Sequence, residues 1–172
     1  MRIKHLLSIG LLLLLSVQTH GETAIPADLL SEIRSAAKTS EGDIIYIDFW
    51  ASWCKPCRKS FPWMNAMHKK YQTRGFKVLA VNVDKERALA DKFLKNTPTE
   101  FPIFYDPEGR LAKAFKLQGM PSSFMIDDKG QILSAHKGFF ESRTPSYEKE
   151  IQSLLTQYLP TRQSSTKKRA SR

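Results

Sequence analysis

The only two cysteines of the chain, Cys54 and Cys57, are separated by two residues. A pair at this spacing can close a small disulfide and reopen it by thiol–disulfide exchange. Apolar and β-favouring residues precede the pair from 44 to 50, and a segment with helical character follows it. The cysteines are therefore predicted at a strand-to-helix junction, where free amides and the positive end of the helix dipole favour a thiolate. This placement indicates a reactive pair.

The two thiols have different expected roles. Cys54 is predicted at the exposed start of the helix, so its thiolate should attack a substrate disulfide and form a mixed disulfide. Cys57, one turn further in, should then attack Cys54 and release the reduced substrate. Three cations crowd the same helix start: Lys55, Arg58 and Lys59. They either help to hold the thiolate or point into water, where screening leaves little effect, and the sequence leaves both interpretations open.

The elements that must position the cysteines alternate between strands and helices. Apolar runs and turn signals predict strands at 44–50, 76–84, 101–105, 124–126 and 131–136. Helical spacing predicts helices at 27–38, 55–71, 86–95 and 111–115, and a last helix that Thr144 caps, with Pro145 at its first position. This order is typical of an α/β fold with a mixed central sheet that helices cover on both faces.

One carboxylate interrupts the apolar strand that leads to the cysteines. Asp48 lies among residues 44–50, whose near-continuous apolar character marks a strand covered on both faces. Burying an ionised carboxylate is costly, so Asp48 is expected either to find a partner or to stay protonated.

The two ends of the chain are predicted to lie outside the folded domain. Residues 1–21 have the basic start, short apolar run and polar exit of a signal peptide, with cleavage near Gly21 and an uncleaved anchor as the alternative. Residues 161–172 form a basic tail that is expected to be disordered, either solvated or in weak contact with anionic lipid. The predicted domain is 22–160.

The net charge of +10 does not indicate a nucleic-acid partner. Residues 1–21 contribute two of these charges and residues 161–172 contribute five, which leaves an ordinary +3 for the predicted domain. Export, most simply to the periplasm, would place the cysteines in an oxidising space. A reductant there needs an electron donor.

Two motifs carry a family resemblance. Residues 49–57, with Trp50 and Trp53 flanking the cysteine pair, resemble the thioredoxin active site, and residues 119–124 resemble the loop that carries a cis-proline opposite it. The added helix and strand within 86–105 are similar to the central insertion of the exported TlpA and ResA group. The resemblance covers most of residues 25–159 and implies a thioredoxin fold with an extra N-terminal helix.

The resemblance also implies roles for single residues. Asp48 would accept the proton of Cys57, and a cis peptide bond would join Met120 to Pro121 and expose backbone to an extended substrate. The expected substrate contacts are Trp53, Lys55, Met120 and Pro121, with Trp50 packed beneath. The chain departs from the group at two positions: Ser60 stands where some members carry glutamate, and Ala80 stands where thioredoxin carries the lysine that partners its aspartate.

Other side chains are expected to be structural. Trp63, Phe139 and Phe140 are predicted to pack, and neither His68 nor His136 has a metal-ligand partner in the sequence. The cysteine pair lacks the two further ligands that a zinc site needs. We therefore expect neither a metal nor a cofactor.

The predicted function is an exported thiol-disulfide oxidoreductase that reduces protein disulfides. The resemblance implies apocytochrome c or a metalloprotein assembly factor as substrates and a membrane thiol transporter as the electron donor. A disulfide oxidant or isomerase would use the same site in the other direction. The dipeptide Lys55-Pro56 is nearer to the reductive thioredoxin type. A binding or chaperone-like module with a static disulfide is the alternative of another class, and a peroxidase is disfavoured because the sequence around Cys54 lacks a peroxidase motif.

Overall fold

The computed structural model of the protein describes residues 25–170, and it describes the side chains of residues 25–158. The predicted signal peptide at 1–21 and residues 171–172 lie outside the described residues. Within the described part of the chain, no helix is both long and apolar enough to cross a membrane.

The described residues form five helices and five strands in the predicted order, with short 3-10 turns at Gln72–Arg74 and Glu141–Arg143. The helices are α1 (Ala27–Ala37), α2 (Cys57–Tyr71), α3 (Arg87–Lys95), α4 (Arg110–Ala114) and α5 (Thr144–Ala170). The strands are β1 (Ile44–Trp50), β2 (Phe76–Asn82), β3 (Ile103–Tyr105), β4 (Ser122–Ile126) and β5 (Ile132–Lys137).

The strands form one mixed sheet in the order β3-β2-β1-β4-β5. β1 and β2 are parallel, as are β2 and β3, whereas β4 runs antiparallel to both β1 and β5. Parallel neighbours need crossover connections, and α2 and α3 supply them. The connection from β4 to β5 is the predicted hairpin. β1 therefore lies at the centre of the sheet and delivers its carboxyl end to the cysteine pair.

Helices cover both faces of the sheet, which confirms the predicted fold class. One apolar cluster lies between the sheet and α2, α3 and α5, and a second lies between the sheet and α1 and α4. All seven residues of β1 are buried, as the apolar run predicts. Because side chains alternate along a strand, Tyr46, Asp48 and Trp50 face the α2 side, whereas Ile47 and Phe49 face α1 and α4. The carboxylate of β1 is thus directed toward the helix that carries the cysteines.

The structure differs from the predictions mainly at the ends of elements. α2 begins at Cys57 instead of residue 55, because the residues before it form turns. Thr144 is the first residue of α5 and not its cap, since its hydroxyl donates to the carbonyl oxygen of Glu141 in the preceding turn. α5 also continues to Ala170, through most of the segment predicted as a disordered tail. Residues 161–170 contain no glycine or proline that would end a helix.

Candidate redox site

Cys54 and Cys57 form a disulfide at the junction between β1 and α2, with their Cα atoms 5.4 Å apart. The backbone N–H of Cys57 donates to Cys54 Sγ at 3.3 Å. The prediction that Cys54 is exposed is wrong in degree, because only 4% of it is accessible while Cys57 is fully buried. The backbone N–H of Cys54 donates to the carbonyl oxygen of Ala51 at 3.0 Å, which closes a turn directly before the pair. The opened pair would leave a Cys54 thiolate facing the Cys57 amide at the helix start, which stabilises negative charge.

The loop before the cysteines is held by a buried carboxylate that the sequence does not single out. Asp84, just beyond the end of β2, accepts hydrogen bonds from the backbone N–H of Ser52 at 2.8 Å and from its hydroxyl at 3.0 Å. The amide of Asn82 donates to the same carboxylate at 2.8 Å. The available signal was a pair of polar residues at the carboxyl end of a buried strand. Asp84 ties the cysteine loop to the neighbouring strand.

Asp48 lies beneath the pair, with 2% of its surface accessible. Burial raises the pKa of its carboxyl from 3.8 to about 8, and a hydrogen bond with Ser60 partly offsets that rise in pKa. Within the described residues no hydrogen bond reaches Asp48 Oδ2. Ala80 lies opposite Asp48 on β2, so the cation that the resemblance places there is absent from this position. The proton, not an ion pair, keeps the carboxyl compatible with its surroundings.

Ser60 connects Asp48 to the cysteine turn. It stands at the position where the resemblance offers glutamate, and it is fully buried. Its hydroxyl donates to the backbone carbonyl oxygen of Cys57 at 2.9 Å and also bonds with the Asp48 carboxyl. A single hydroxyl therefore links the carboxyl to the backbone of the inner cysteine. These two hydrogen bonds fix the position of the carboxyl relative to the helical turn that begins at Cys57.

The predicted substrate contacts surround the pair to different extents. Trp53 is 67% exposed, whereas Trp50 is fully buried and packs edge to face against Phe61, as predicted. The peptide bond between Met120 and Pro121 is cis, also as predicted. Pro121 is buried and Met120 is half-buried against both apolar clusters, which leaves part of Met120 accessible.

The cations at the helix start are oriented mostly away from the sulfur atoms. Lys59 forms a salt bridge with Glu141 at 3.0 Å, and the guanidinium of Arg58 lies 4.8 Å from the centre of the Phe93 ring. Lys55 is exposed. For Arg58 and Lys59 the contacts favour the second interpretation of the sequence, in which these side chains extend toward solvent and neighbours.

The remaining aromatic and histidine residues are placed largely as predicted. Trp63 and Phe139 pack with Tyr147, but Phe140 is 51% exposed, so its predicted packing role is wrong. Gly138 turns the chain with a positive φ, and Phe140 lies just beyond that turn.

His68 and His136 both contact other side chains of the protein. His68 is buried against Phe101, and desolvation lowers the pKa of its imidazole. His136 lies 2.8 Å from the Glu150 carboxylate. No group of three or more potential ligands that could hold a metal ion occurs among the described residues.

Comparisons with known proteins agree with this geometry. The model of the Redoxin family matches residues 23–151. The thiol-disulfide oxidoreductase ResA of Bacillus thuringiensis subsp. konkukian is 33% identical over 101 residues, which are 59% of this chain and 58% of that protein. The chain thus matches little more than half of the length of these curated relatives.

Two solved structures extend the similarity to the fold. A candidate thiol:disulfide interchange protein DsbE from Chlorobium tepidum is 42% identical, with a TM-score of 0.66, and the match covers 77% of this chain and 92% of that one. StoA from Bacillus subtilis is 27% identical, with a TM-score of 0.55, and the match covers 62% of this chain and 83% of that one.

We predict that Asp48→Asn stabilises the oxidised protein increasingly as the pH rises. The pKa of Asp48 is raised from 3.8 to about 8 in the fold. Between these values the unfolded chain releases the proton that the folded chain keeps, so stability falls with increasing pH. The asparagine removes that loss, so thermal unfolding should show a gain on the order of a few kcal/mol at pH 8 and almost none near pH 4.

Asp28→Asn, which changes an exposed carboxylate in α1, serves as the control and should show no gain that grows with pH. A stability difference for Asp48→Asn that does not vary with pH would contradict the assignment of a raised pKa to Asp48.

We also predict that Asp84→Ala loosens the cysteine loop. The substitution leaves the Ser52 and Asn82 donors without their acceptor, at a cost of about 2–4 kcal/mol in the free energy of unfolding. Amide hydrogen exchange at Ser52 should accelerate strongly, and Asp84→Asn, which keeps one carbonyl acceptor, should fall between the parent and the alanine variant. Unchanged exchange at Ser52 would show that Asp84 does not hold the loop.

Proposed function

The chain belongs to the Redoxin family, and we propose that it is a thiol-disulfide oxidoreductase that reduces protein disulfides through Cys54 and Cys57. The observation that carries this proposal is a disulfide at the start of α2, directly above a buried carboxyl that holds its proton near neutral pH. The ResA protein and the DsbE candidate, which the chain resembles, bear names that describe the same chemistry.

In the proposed reaction Cys54 makes the first attack. It is the more accessible sulfur of the pair, and the N–H of Cys57 is aimed at it. Its thiolate attacks one sulfur of the substrate disulfide, the substrate S–S bond breaks, and the first substrate thiolate leaves. The result is a mixed disulfide between Cys54 and the substrate.

Cys57 completes the reaction by attacking Cys54. It gives its proton to Asp48 in the ionised form, which a pKa of about 8 leaves as the minority form near neutral pH; the S–S bond to the substrate breaks, and the second substrate thiolate leaves. Two electrons have then passed from the protein dithiol to the substrate disulfide. The pKa of about 8 for Asp48 in the oxidised protein lies close to the value of about 8.5 for an ordinary cysteine thiol, so the proton transfer is nearly balanced in free energy.

Substrate contact is proposed for Trp53, Lys55, Met120 and Pro121. The exposed indole of Trp53 and the accessible part of Met120 support this role, because both offer accessible apolar surface. Both residues can meet one extended segment of a partner protein.

The proposed setting is the periplasm, with electrons supplied by a membrane thiol donor. The signal-peptide-like sequence of residues 1–21 and the similarity to ResA and DsbE proteins support export. Maturation of cytochrome c or assembly of a metalloprotein would supply suitable disulfide substrates. The reverse direction, oxidation or isomerisation, would use the same residues.

We predict that rapid acid quenching and thiol labelling of intact cells will find most of the Cys54–Cys57 pair reduced. A reductant kept ready by a donor must hold its dithiol open in an oxidising space. A fully oxidised pair would overturn the reductive direction. Resistance of the purified protein to dithiothreitol would favour the static binding module.

We further predict that Cys57→Ser accumulates mixed disulfides through Cys54, because the second attack is lost while the first remains. Non-reducing electrophoresis of cell extracts should show these adducts, and mass spectrometry should identify the partner. The double variant with Cys54→Ser is the matched control and should form none. Adducts that persist in the control, or that never form in Cys57→Ser, would contradict this order of attack.

A further inference from the structure

A groove with a volume of about 240 Å³ lies between α3 and the cysteine turn. Its walls are formed by Ser52, Arg58, Leu89, Lys92, Phe93 and Asn96. We propose that this groove binds an acidic segment of the substrate protein, in which an aspartate or glutamate lies beside an apolar residue. The inference rests on the proposed function, since it names the kind of disulfide-bearing partner that the redox site serves.

The groove adjoins the reacting atoms along the chain. Ser52 lies two residues before Cys54, and Arg58 directly follows Cys57. Trp53, whose indole is exposed, lies in the sequence between Ser52 and Cys54. A segment held in the groove would therefore leave its protein's disulfide next to Cys54, which makes the groove a means of selecting substrates.

The floor of the groove is apolar. Leu89 and Phe93 are four residues apart on α3 and so lie on one face of the helix. Leu89 is 44% exposed, whereas Phe93 is buried beneath the guanidinium of Arg58. Every other leucine among residues 25–158 is buried or half-buried, so the exposed Leu89 beside the cysteine turn offers contact area for an apolar side chain.

The rim of the groove is cationic and lacks neutralising carboxylates. Within the described residues neither Arg58 nor Lys92 forms a salt bridge, although other cations nearby do. One such cation is Arg87, which pairs with Asp91 on α3. The two positive side chains are thus available for a carboxylate of the partner.

Two carboxylates near these cations, Asp84 and Asp91, are engaged elsewhere. Asp84 is buried and accepts hydrogen bonds from the cysteine loop. Asp91 accepts a hydrogen bond from the Tyr105 hydroxyl at 2.9 Å and does not line the groove. A basic partner segment would meet Arg58 and Lys92 unscreened, so the groove also disfavours the wrong partners.

Anionic lipid is the other source of negative charge that two cations could attract. The concave shape and the apolar floor between Leu89 and Phe93 fit one peptide side chain beside its acidic neighbour. These features favour a protein segment over a flat membrane surface, and the experiment below distinguishes the two.

The test compares peptide disulfides that differ only beside the cysteine. The protein, purified as cells process it and reduced beforehand, is mixed with peptides carrying Glu-Leu, Gln-Leu or Lys-Leu next to a disulfide with a fluorescent leaving group. The second-order rate should be roughly fivefold higher for the Glu peptide than for the Gln peptide at low salt, lowest for the Lys peptide, and the differences should shrink as salt is added.

Two charge reversals on α3 locate the effect. Lys92→Glu should abolish or invert the preference for the Glu peptide. Lys95→Glu changes the charge equally on the same helix but lies outside the groove, and it should retain the preference. Equal losses in both variants would reduce the effect to general electrostatic steering and overturn the proposal, as would the absence of any preference in the parent protein.

Two further measurements distinguish this proposal from the proposed redox function and from binding to a membrane surface. Reduction of uncharged bis(2-hydroxyethyl) disulfide by the parent tests the redox function alone. If that reaction fails, the proposed function fails; if it proceeds without any peptide preference, only the groove assignment is overturned. Co-sedimentation with phosphatidylglycerol vesicles that Lys92→Glu removes, together with no peptide preference, would assign the groove to a membrane surface.

Discussion

The rest of the site depends on one buried carboxyl in the central strand, which has no cation opposite it on the neighbouring strand. Asp48 faces the α2 side of the sheet, is almost inaccessible, and has Ala80 where a cation would otherwise neutralise it. Burial raises the pKa of this carboxyl to about 8, and a hydrogen bond with Ser60 partly offsets that rise. Such a group destabilises the fold at high pH, and none of its described contacts fully offsets this loss of stability. Its position beneath the disulfide suits the proposed role of Asp48 as proton acceptor for Cys57.

The other elements hold the cysteine pair above this carboxyl. β1 delivers the loop, α2 fixes Cys57 and Ser60 one turn apart on its inner side, and Asp84 ties the loop to the end of β2. Cys54 is less accessible than a simple exposed helix start would leave it. Trp53 and the groove along α3 are exposed instead. The proposed surface for a partner is therefore wider than the accessible part of the sulfur atoms.

Much of this arrangement follows from local sequence patterns. The apolar run of β1 and the two motifs predicted the strand, the disulfide site and the cis bond before Pro121, and the position of Ala80 opposite Asp48 agrees with the resemblance. These features depend on residues close together in sequence or on motifs that many chains share.

What local patterns did not predict depends on contacts between distant parts of the chain. The partner of Lys59 lies 82 residues away in the turn before α5, and the bonds of Asp84 cross 32 residues to the cysteine loop. The near burial of Cys54 and the exposure of Phe140 likewise depend on how turns fold over neighbouring elements. No periodicity encodes such contacts, because each depends on the packed tertiary structure.

The central claim is that a carboxyl which titrates near neutral pH lies beneath the cysteine pair. Carbon-13 NMR of the side-chain carboxyl of Asp48, recorded across a pH series on the oxidised protein, measures this directly. The account predicts a titration midpoint of about 8, with the resonance assigned by its absence in Asp48→Asn. A midpoint near the ordinary value of about 4 would contradict it, because the carboxyl would then be ionised throughout the working range and could not retain the proton of Cys57.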